Sequence, residues 1–391
     1  MIARTIKDQL LHYANKYPVV TLTGPRQSGK STLLNNCLID HHYVSLEEPD
    51  VRYLAKNDPK GFLHSLPHKS IIDEAQHVPD LFSYIQTLTD RENRPGMFVL
   101  SGSQNFLLMQ NITQSLAGRV AVLKLMPFSY QELSEAKLAP TTADEVIWKG
   151  GYPRLYDWNL QPSEFFPHYI QTYVERDVRL LRNIPDLSLF IRFIKLCAGR
   201  IGQLFNLSSL ANECGITTST AQSWLSILEA GYVLFLLKPY HKNFNKRLTK
   251  SPKLYFYDTG LACSLLSIES PSQLNLHYLR GALFENWVIL EYFKKSHHLV
   301  KEPLAYFWRD SNGNEVDLLL EKGDHLEAIE IKSNDTMNST HFKGLDYWQR
   351  LSGALPASCH LVYTGEHNFN TAKGNYISWI KWPLELETIH K

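Results

Sequence analysis

At 391 residues, 44% hydrophobic and 20% charged, the chain is too long for one ordinary core and reads as a soluble globular protein, with about two to four domains of roughly 100 to 200 residues each. Forty Lys plus Arg against 39 Asp plus Glu leave a net charge near +1, which excludes a global electrostatic argument for a nucleic-acid partner and leaves only a local patch. Cys37, Cys197, Cys214, Cys263 and Cys359 are scattered singly, which argues against a disulfide framework or a thiolate metal site. No run approaches about 18 apolar residues, so the expectation is a cytoplasmic protein with no membrane partner.

In chain order, short apolar runs come first: "VVTLT" at Val19, "YVSL" at Tyr43, "SIID" at Ser70, "MFVLSG" at Met97 and "VAVLKL" at Val120. Helical patterns separate them, which predicts βαβ units and a mainly parallel α/β sheet over residues 1–135. Between the first strand and helical "STLLNNCL" lies "GPRQSGKST", a complete G-x-x-x-x-G-K-[ST] in the strand-loop-helix setting that its chemistry needs. Gly24, Pro25, Arg26, Gln27, Ser28, Gly29, Lys30, Ser31 and Thr32 are therefore the expected ATP-binding loop. The glycines permit a tight turn whose N–H groups face phosphate oxygens. Lys30 would neutralise the β- and γ-phosphates, and Ser31 would give one oxygen to Mg²⁺.

"SIIDEAQ" supplies the acids that should end a later strand, Asp73 for Mg²⁺ and Glu74 as general base on the attacking water. The strand ending "LSGSQN" puts Ser103, Gln104 or Asn105 where a polar γ-phosphate sensor would sit. Hydrolysis also needs a positive charge in the transition state, often an arginine from a neighbouring subunit. Arg119 in "SLAGRV", Arg154 in "GGYPRLY" and Arg176 in "YVERDV" are the candidates, and each also reads as an ordinary ion pair.

Residues 136–185 carry helical patterns broken by "KGGYPRLY" and read as a lid. Residues 186–260 contain "NLSSLANECGITTSTAQSWLSILEAGYVLFLLKPY", a Ser-capped helix, a turn at Gly215, a second helix opening near Thr217 and an apolar strand, which is the pattern of a winged helix-turn-helix. Thr217, Thr218, Ser219, Thr220 and Gln222 open the second helix with groups able to bond phosphates or base edges. Lys238, Lys242, Lys246, Arg247, Lys250 and Lys253 follow without an acid and with Tyr240 and Phe244 among them. That is the local patch DNA binding requires, and a solvated basic loop is the plain alternative.

Residues 261–391 open with a long helix through "GALFENWVILEYFKK" and continue as strands separated by "DSNGN" and "KGD" turns. In "NEVDLLLEKGDHLEAIEIKS", Ile329 and Ile331 face one way and Glu330 and Lys332 the other. Asp317, Glu330 and Lys332 resemble the D…E-x-K of PD-(D/E)xK nucleases, with Glu285 matching their helical acid and Val316 standing where their proline would be. Carboxylates concentrate Mg²⁺ or Mn²⁺, the metal activates water, and a lysine orients the nucleophile; Asp317 and Glu330 are the expected ligands. Charge decoration of a wet strand is the competing reading.

"TGPRQSGKSTLL", "IIDEAQHVPDLF", "LSGSQNFLLMQNITQSLAGRV", "GGYPRLY", "KSPKLYFYDTGLA", "LRGALFENWV" and "FWRDSNGNEVDLLLE" together resemble prokaryotic AAA-type, STAND-like P-loop ATPases with a C-terminal domain of unknown function. The resemblance spans nearly the whole chain in order. It implies an ATPase core, a lid, a winged helix and a restriction-endonuclease-like α/β domain, with "GGYP" similar to a lid motif in which Pro153 is positional. The expected function is Mg-dependent ATP hydrolysis by a homo-oligomer acting on DNA, with nuclease activity in the C-terminal domain. The alternative is a nucleotide-gated interaction or signalling protein whose C-terminal acids do not cleave.

Overall fold

A five-stranded sheet organises the amino-terminal part of the computed structural model, which describes residues 2–102, 108, 112, 115–173, 186–241, 249–323, 325–336 and 338–390. Its strands are β1 (Val19–Thr23), β2 (His42–Ser45), β3 (Ser70–Asp73), β4 (Phe98–Ser101) and β5 (Val120–Lys124), in the order β2-β3-β4-β1-β5. Every pairing is parallel, as the alternation of apolar runs with helical patterns predicts. The three central strands β3, β4 and β1 are buried along their whole length, because helices cover both faces of the sheet. Val19, Phe82 and Leu100 belong to one core layer. Ile6, Leu10, Val20, Leu22 and Leu34 belong to another. Each such side chain contributes about 1.5–3 kcal/mol on burial. In a parallel sheet all carboxyl ends point the same way, which is where α/β folds bind ligands.

Two compact units emerge from the contacts: Met1–Phe128 with Ala230–Tyr232 and His297–Lys301, and Ser129–Glu229 with Val233–Ser296 and Glu302–Lys391. The second unit begins with helices and shares one continuous core from Tyr130 to Ile389, so its helical part and its carboxyl-terminal sheet are packed as one body. Helix Leu207–Cys214 ends at Gly215 in the left-handed region at φ 77°, and helix Thr218–Ala230 follows. Asn206, not a serine, caps the first of these by accepting from Ser209 N at 3.0 Å, and Thr217 caps the second by accepting from Thr220 N at 3.1 Å. A two-stranded antiparallel ribbon, β6 (Leu234–Leu237) and β7 (Lys253–Phe256), comes next.

Asp258 follows the ribbon and caps helix Thr259–Leu265, accepting from Leu261 N at 2.9 Å. Its other oxygen accepts from Gly151 N at 2.8 Å, so "GGYP" and "YDTG" form one buried junction. Burial raises the Asp258 pKa, against the amides of Gly151 and Leu261 that lower it. Gly150 sits at φ +70°, where a Cβ would stand 2.4 Å from Asp258 Oδ1.

The carboxyl-terminal sheet has six strands in the order β12-β13-β11-β10-β9-β8. Strands β8 (Ala305–Arg309), β9 (Glu315–Lys322) and β10 (His325–Lys332) form an antiparallel meander. β11 (Cys359–Tyr363) then joins β10 in parallel, reached through helix Lys343–Ser352. β13 (Gly374–Ser378) extends the parallel part, and β12 (Phe369–Thr371) pairs antiparallel at the edge. Helix Arg280–His298 precedes the meander. No helix among the described residues is long and apolar enough to cross a membrane.

Candidate active sites

The P-loop joins β1 to helix Lys30–Cys37. Gly24 adopts φ +144°, where a Cβ would meet Leu125 O at 2.2 Å, and Gly29 adopts φ +92°, so both glycines are required by backbone shape. Lys30 is buried and donates to Gly24 O at 3.0 Å and Pro25 O at 2.9 Å. The lysine is thus held by its own loop, on acceptors that a phosphate can replace. Arg4 clamps the loop from the amino terminus, donating to Ser28 O at 2.9 Å and Met126 O at 2.6 Å. Arg26 pairs with Glu47 at 3.6 Å, and Gln27 has φ 59°. Thr32 is exposed on the first turn of the helix.

Asp73 stands at the carboxyl end of β3, beside Ser31 Oγ, which donates to its Oδ2 at 2.8 Å. Tyr43 from β2 donates to the same oxygen, Ser101 from β4 donates to Oδ1, and Glu74 N reaches Oδ1 at 3.1 Å. Burial raises the Tyr43 pKa, and the Asp73 carboxylate raises it further. Glu74 lies at φ 55° and accepts from Gln76 Nε2, which aims its carboxylate. The oxygens of Ser31 and Asp73 therefore lie together where a Mg²⁺-triphosphate would bring its ion, and their chemistry fits it. Tyr43, Ser101, Gln76 and Arg4 were not singled out from sequence. Tyr43 and Ser101 lie on predicted strands, and only the strand order puts them beside Asp73. Ser103, Gln104 and Asn105 lie outside the described residues, as does Arg176.

Arg119 immediately precedes β5, and β5 runs parallel to β1, so it lies at the sheet end away from the P-loop, about 16 Å off over five residues. It pairs on the surface with Asp90, its Nη2 standing 3.1 Å from Oδ2. Arg154, in the second unit, lies 4.5 Å from the Trp158 ring.

In the second unit Glu285, Asp317, Glu330 and Lys332 come together. Lys332 Nζ lies 2.6 Å from Glu330 Oε1 and 3.6 Å from Asp317 Oδ2, and Asp317 Oδ2 also accepts from Ile331 N at 2.8 Å. The strand face carrying Glu330 is not wet: Glu330 is 7% exposed, because helix Lys343–Ser352 covers that face and Gly344 brings its backbone against Glu330 Oε2. Burial, with Asp317 next in weight, pushes the Glu330 pKa up to about 8 against the pull of Lys332. Burial opposes the charge on Lys332, and Asp317 and Glu330 restore it, raising its pKa. Glu285 is raised chiefly by burial, with Lys253 opposing.

Lys253 corrects one expectation. Its sequence neighbours group it with an exposed basic patch, yet it is 3% exposed, with Nζ 2.9 Å from Glu285 Oε1 and paired also to Glu315. It is the first residue of β7 and is buried there. Burial lowers its pKa, and Glu285, Tyr255, Asp317 and Glu315 more than reverse that. Of the others, Lys238 and Lys250 are exposed, while Lys242, Lys246, Arg247 and Phe244 lie outside the described residues. Thr217, Thr218, Ser219 and Gln222 are exposed. The donors of the acid cluster suit a hard cation. Their arrangement does not: among the described residues no group of three or more His, Cys, Asp or Glu is placed to hold a metal ion.

A parallel sheet with a P-loop after β1 and an acid ending β3 defines a P-loop ATPase of the AAA type, and residues 16–134 match the model of an AAA domain. Residues 140–272 and 280–383 match two further models, Domain of unknown function (DUF8612) and Domain of unknown function (DUF4143). The chain is 31% identical over 376 residues to an "uncharacterized protein" of Mycobacterium tuberculosis, covering 94% of this chain and 81% of that protein, and it belongs to that protein's family. An "uncharacterized protein" of Haemophilus influenzae is 23% identical over 373 residues, covering 86% and 89%. Among solved structures, the Walker-type ATPase of Pyrococcus abyssi is similar at TM-score 0.45 and 15% identity, covering 68% of this chain and 96% of that one. The Thermotoga maritima RuvB Holliday junction branch migration motor is similar at TM-score 0.33 and 20% identity, covering 62% and 94%.

Proposed function

We propose that this chain hydrolyses Mg-ATP in its first unit as a homo-oligomer, and that its second unit engages DNA through a winged helix and carries a nuclease-like acid site. The observation that carries the reading is Ser31 bonded to Asp73 beside the P-loop, with Glu74 next in chain and held by Gln76. On nucleotide binding Lys30 exchanges the carbonyls of Gly24 and Pro25 for β- and γ-phosphate oxygens. The loop N–H groups and the start of helix Lys30–Cys37 hold the remaining phosphate charge. Ser31 and Asp73 would hold the Mg²⁺ that comes with the triphosphate, and its charge would offset the charge that develops as the bond breaks. Glu74 takes the proton of the attacking water. Arg119 is at the wrong sheet end for its own P-loop, which favours its supply to a neighbouring copy.

For the second unit, support comes from topology and from the acids. A helix, an antiparallel meander of three strands, a crossover helix and a parallel strand follow one another, with Asp317 and Glu330 on adjacent strands. The two helices about Gly215 with the following ribbon support a winged helix, and the exposed Thr217 to Gln222 stretch with Lys238 and Lys250 supports contact with phosphates. One observation favours the alternative of a non-cleaving interaction or signalling protein: two lysines already neutralise the acids.

The test pairs two assays on the full chain. ATP hydrolysis should fall about 100- to 1,000-fold in Lys30→Ala, and an unchanged rate overturns the ATPase reading. Linear, circular and branched DNA, incubated with Mg²⁺ or Mn²⁺ with and without ATP, should be cut by the native chain and spared by Asp317→Ala with its ATPase intact. Absence of cleavage on every substrate selects the interaction reading.

A further inference from the structure

The acid cluster of the second unit already contains a cation, and it comes from a different segment of the chain. Lys253 Nζ is 2.9 Å from Glu285 Oε1 and paired to Glu315, with Asp317 and Tyr255 in its field and the Phe307 ring 5.4 Å away. Tyr255, from the same strand, donates to the same Glu285 oxygen. Arg309 meets the other oxygen of Glu315 at 2.8 Å, and Lys332 sits between Glu330 and Asp317. The cluster is thus close to neutral as folded. It is not fully satisfied, however: Glu330 is 7% exposed and its Oε2 is buried with no hydrogen-bond partner among the described residues.

We propose that Lys253 is a built-in occupant of the cation position formed by Glu285 and Glu315, and that a divalent ion enters the cluster only where the Lys253 side chain is withdrawn. The proposal rests on reading this cluster as the working site of the carboxyl-terminal sheet. Its physical basis is competition for the same oxygens. A buried ammonium persists only because carboxylates surround it. Those carboxylates, left without it, present hard oxygens and uncompensated negative charge, which are the two requirements of Mg²⁺ or Mn²⁺. Arginine in place of Lys253 would keep the plug, whereas an uncharged side chain of similar length would remove it. Because β7 belongs to the ribbon and not to the acid-bearing sheet, whatever holds or releases the ribbon sets the cation affinity of the site.

The experiment is a Mn²⁺ titration of the nucleotide-free full chain, read by loss of the free-ion EPR signal and by the shift of the melting temperature. Wild type and Lys253→Arg should bind Mn²⁺ weakly and alike. Lys253→Met should bind at least about tenfold more tightly and melt higher in Mn²⁺, and adding Glu315→Gln should abolish the gain. A folded Lys253→Met chain that takes up Mn²⁺ no better than wild type overturns the proposal, as does a wild type that already matches the variant. Where Lys253→Met is unfolded without metal, the proposal requires Mn²⁺ to restore its circular dichroism, and a chain that stays unfolded in Mn²⁺ overturns it. DNA cleavage is not a readout, so a failed nuclease assay and a failed metal titration are separate results.

Discussion

Lys30 and Lys253 are both buried lysines, and they are held in opposite ways. Lys30 donates to two neutral carbonyls of the loop it belongs to, within six residues of itself. Lys253 is met by carboxylates from a helix and a strand far along the chain. Neutral acceptors let go readily when phosphate oxygens offer more charge, so the first arrangement is poised to receive a ligand. A buried ion pair does not let go without a replacement cation, since breaking it leaves an uncompensated charge. The nucleotide site is therefore ready as folded, while the acid site is closed by the protein itself.

The strongest way to sharpen this contrast is Glu74→Gln, which keeps the size of the side chain and removes its negative charge and basicity. ATP hydrolysis should fall about 100- to 10,000-fold, while binding of a fluorescent ATP analogue persists; parallel losses of both would refute the assigned role. Gly24→Ala attacks the local route directly, because its Cβ would stand 2.2 Å from Leu125 O in a conformation of φ +144°. It should lower stability by about 1–3 kcal/mol in urea unfolding and abolish nucleotide binding. An unchanged midpoint would show that the loop does not need this backbone shape.

The smallest effect probes the closed site. Glu330 has a pKa of about 8 when folded, raised by burial and by Asp317 above its ordinary carboxylate value. The stability this protonation contributes is full below the unfolded pKa of about 4.3 and is lost as pH rises through about 8. The unfolding free energy of the native chain from urea titration should therefore fall across that window, by at most about 1.4 kcal/mol per pH unit. The difference between wild type and Glu330→Gln isolates this group, and identical pH slopes in the two proteins would contradict the buried placement of Glu330.

The candidate nucleotide site was largely legible because its parts are neighbours in sequence. "GPRQSGKST" specifies loop, helix start and lysine at once, and "SIID" announces a strand ending in an acid. What escaped were Tyr43 and Ser101, whose importance depends on β2 and β4 flanking β3. The acid cluster was legible only in half. Asp317, Glu330 and Lys332 follow a spacing, whereas Glu315, Tyr255 and Lys253 have no local pattern, and Lys253 was grouped with a basic surface by its sequence neighbours. Alternation placed Glu330 opposite Ile329 and Ile331 but left open whether its face met water or the helix Lys343–Ser352.

By itself the sequence determined the strands, the P-loop, the helix pair about Gly215 and the acids of the final hairpin, because short-range sterics and apolar periodicity act within a few residues. Which strand lies beside which, and therefore what Asp73 and Glu285 touch, was decided only by tertiary packing. Burial and charge neutralisation depend on groups that approach from any point along the chain, and so the lysine that closes the acid site has no signature of its own.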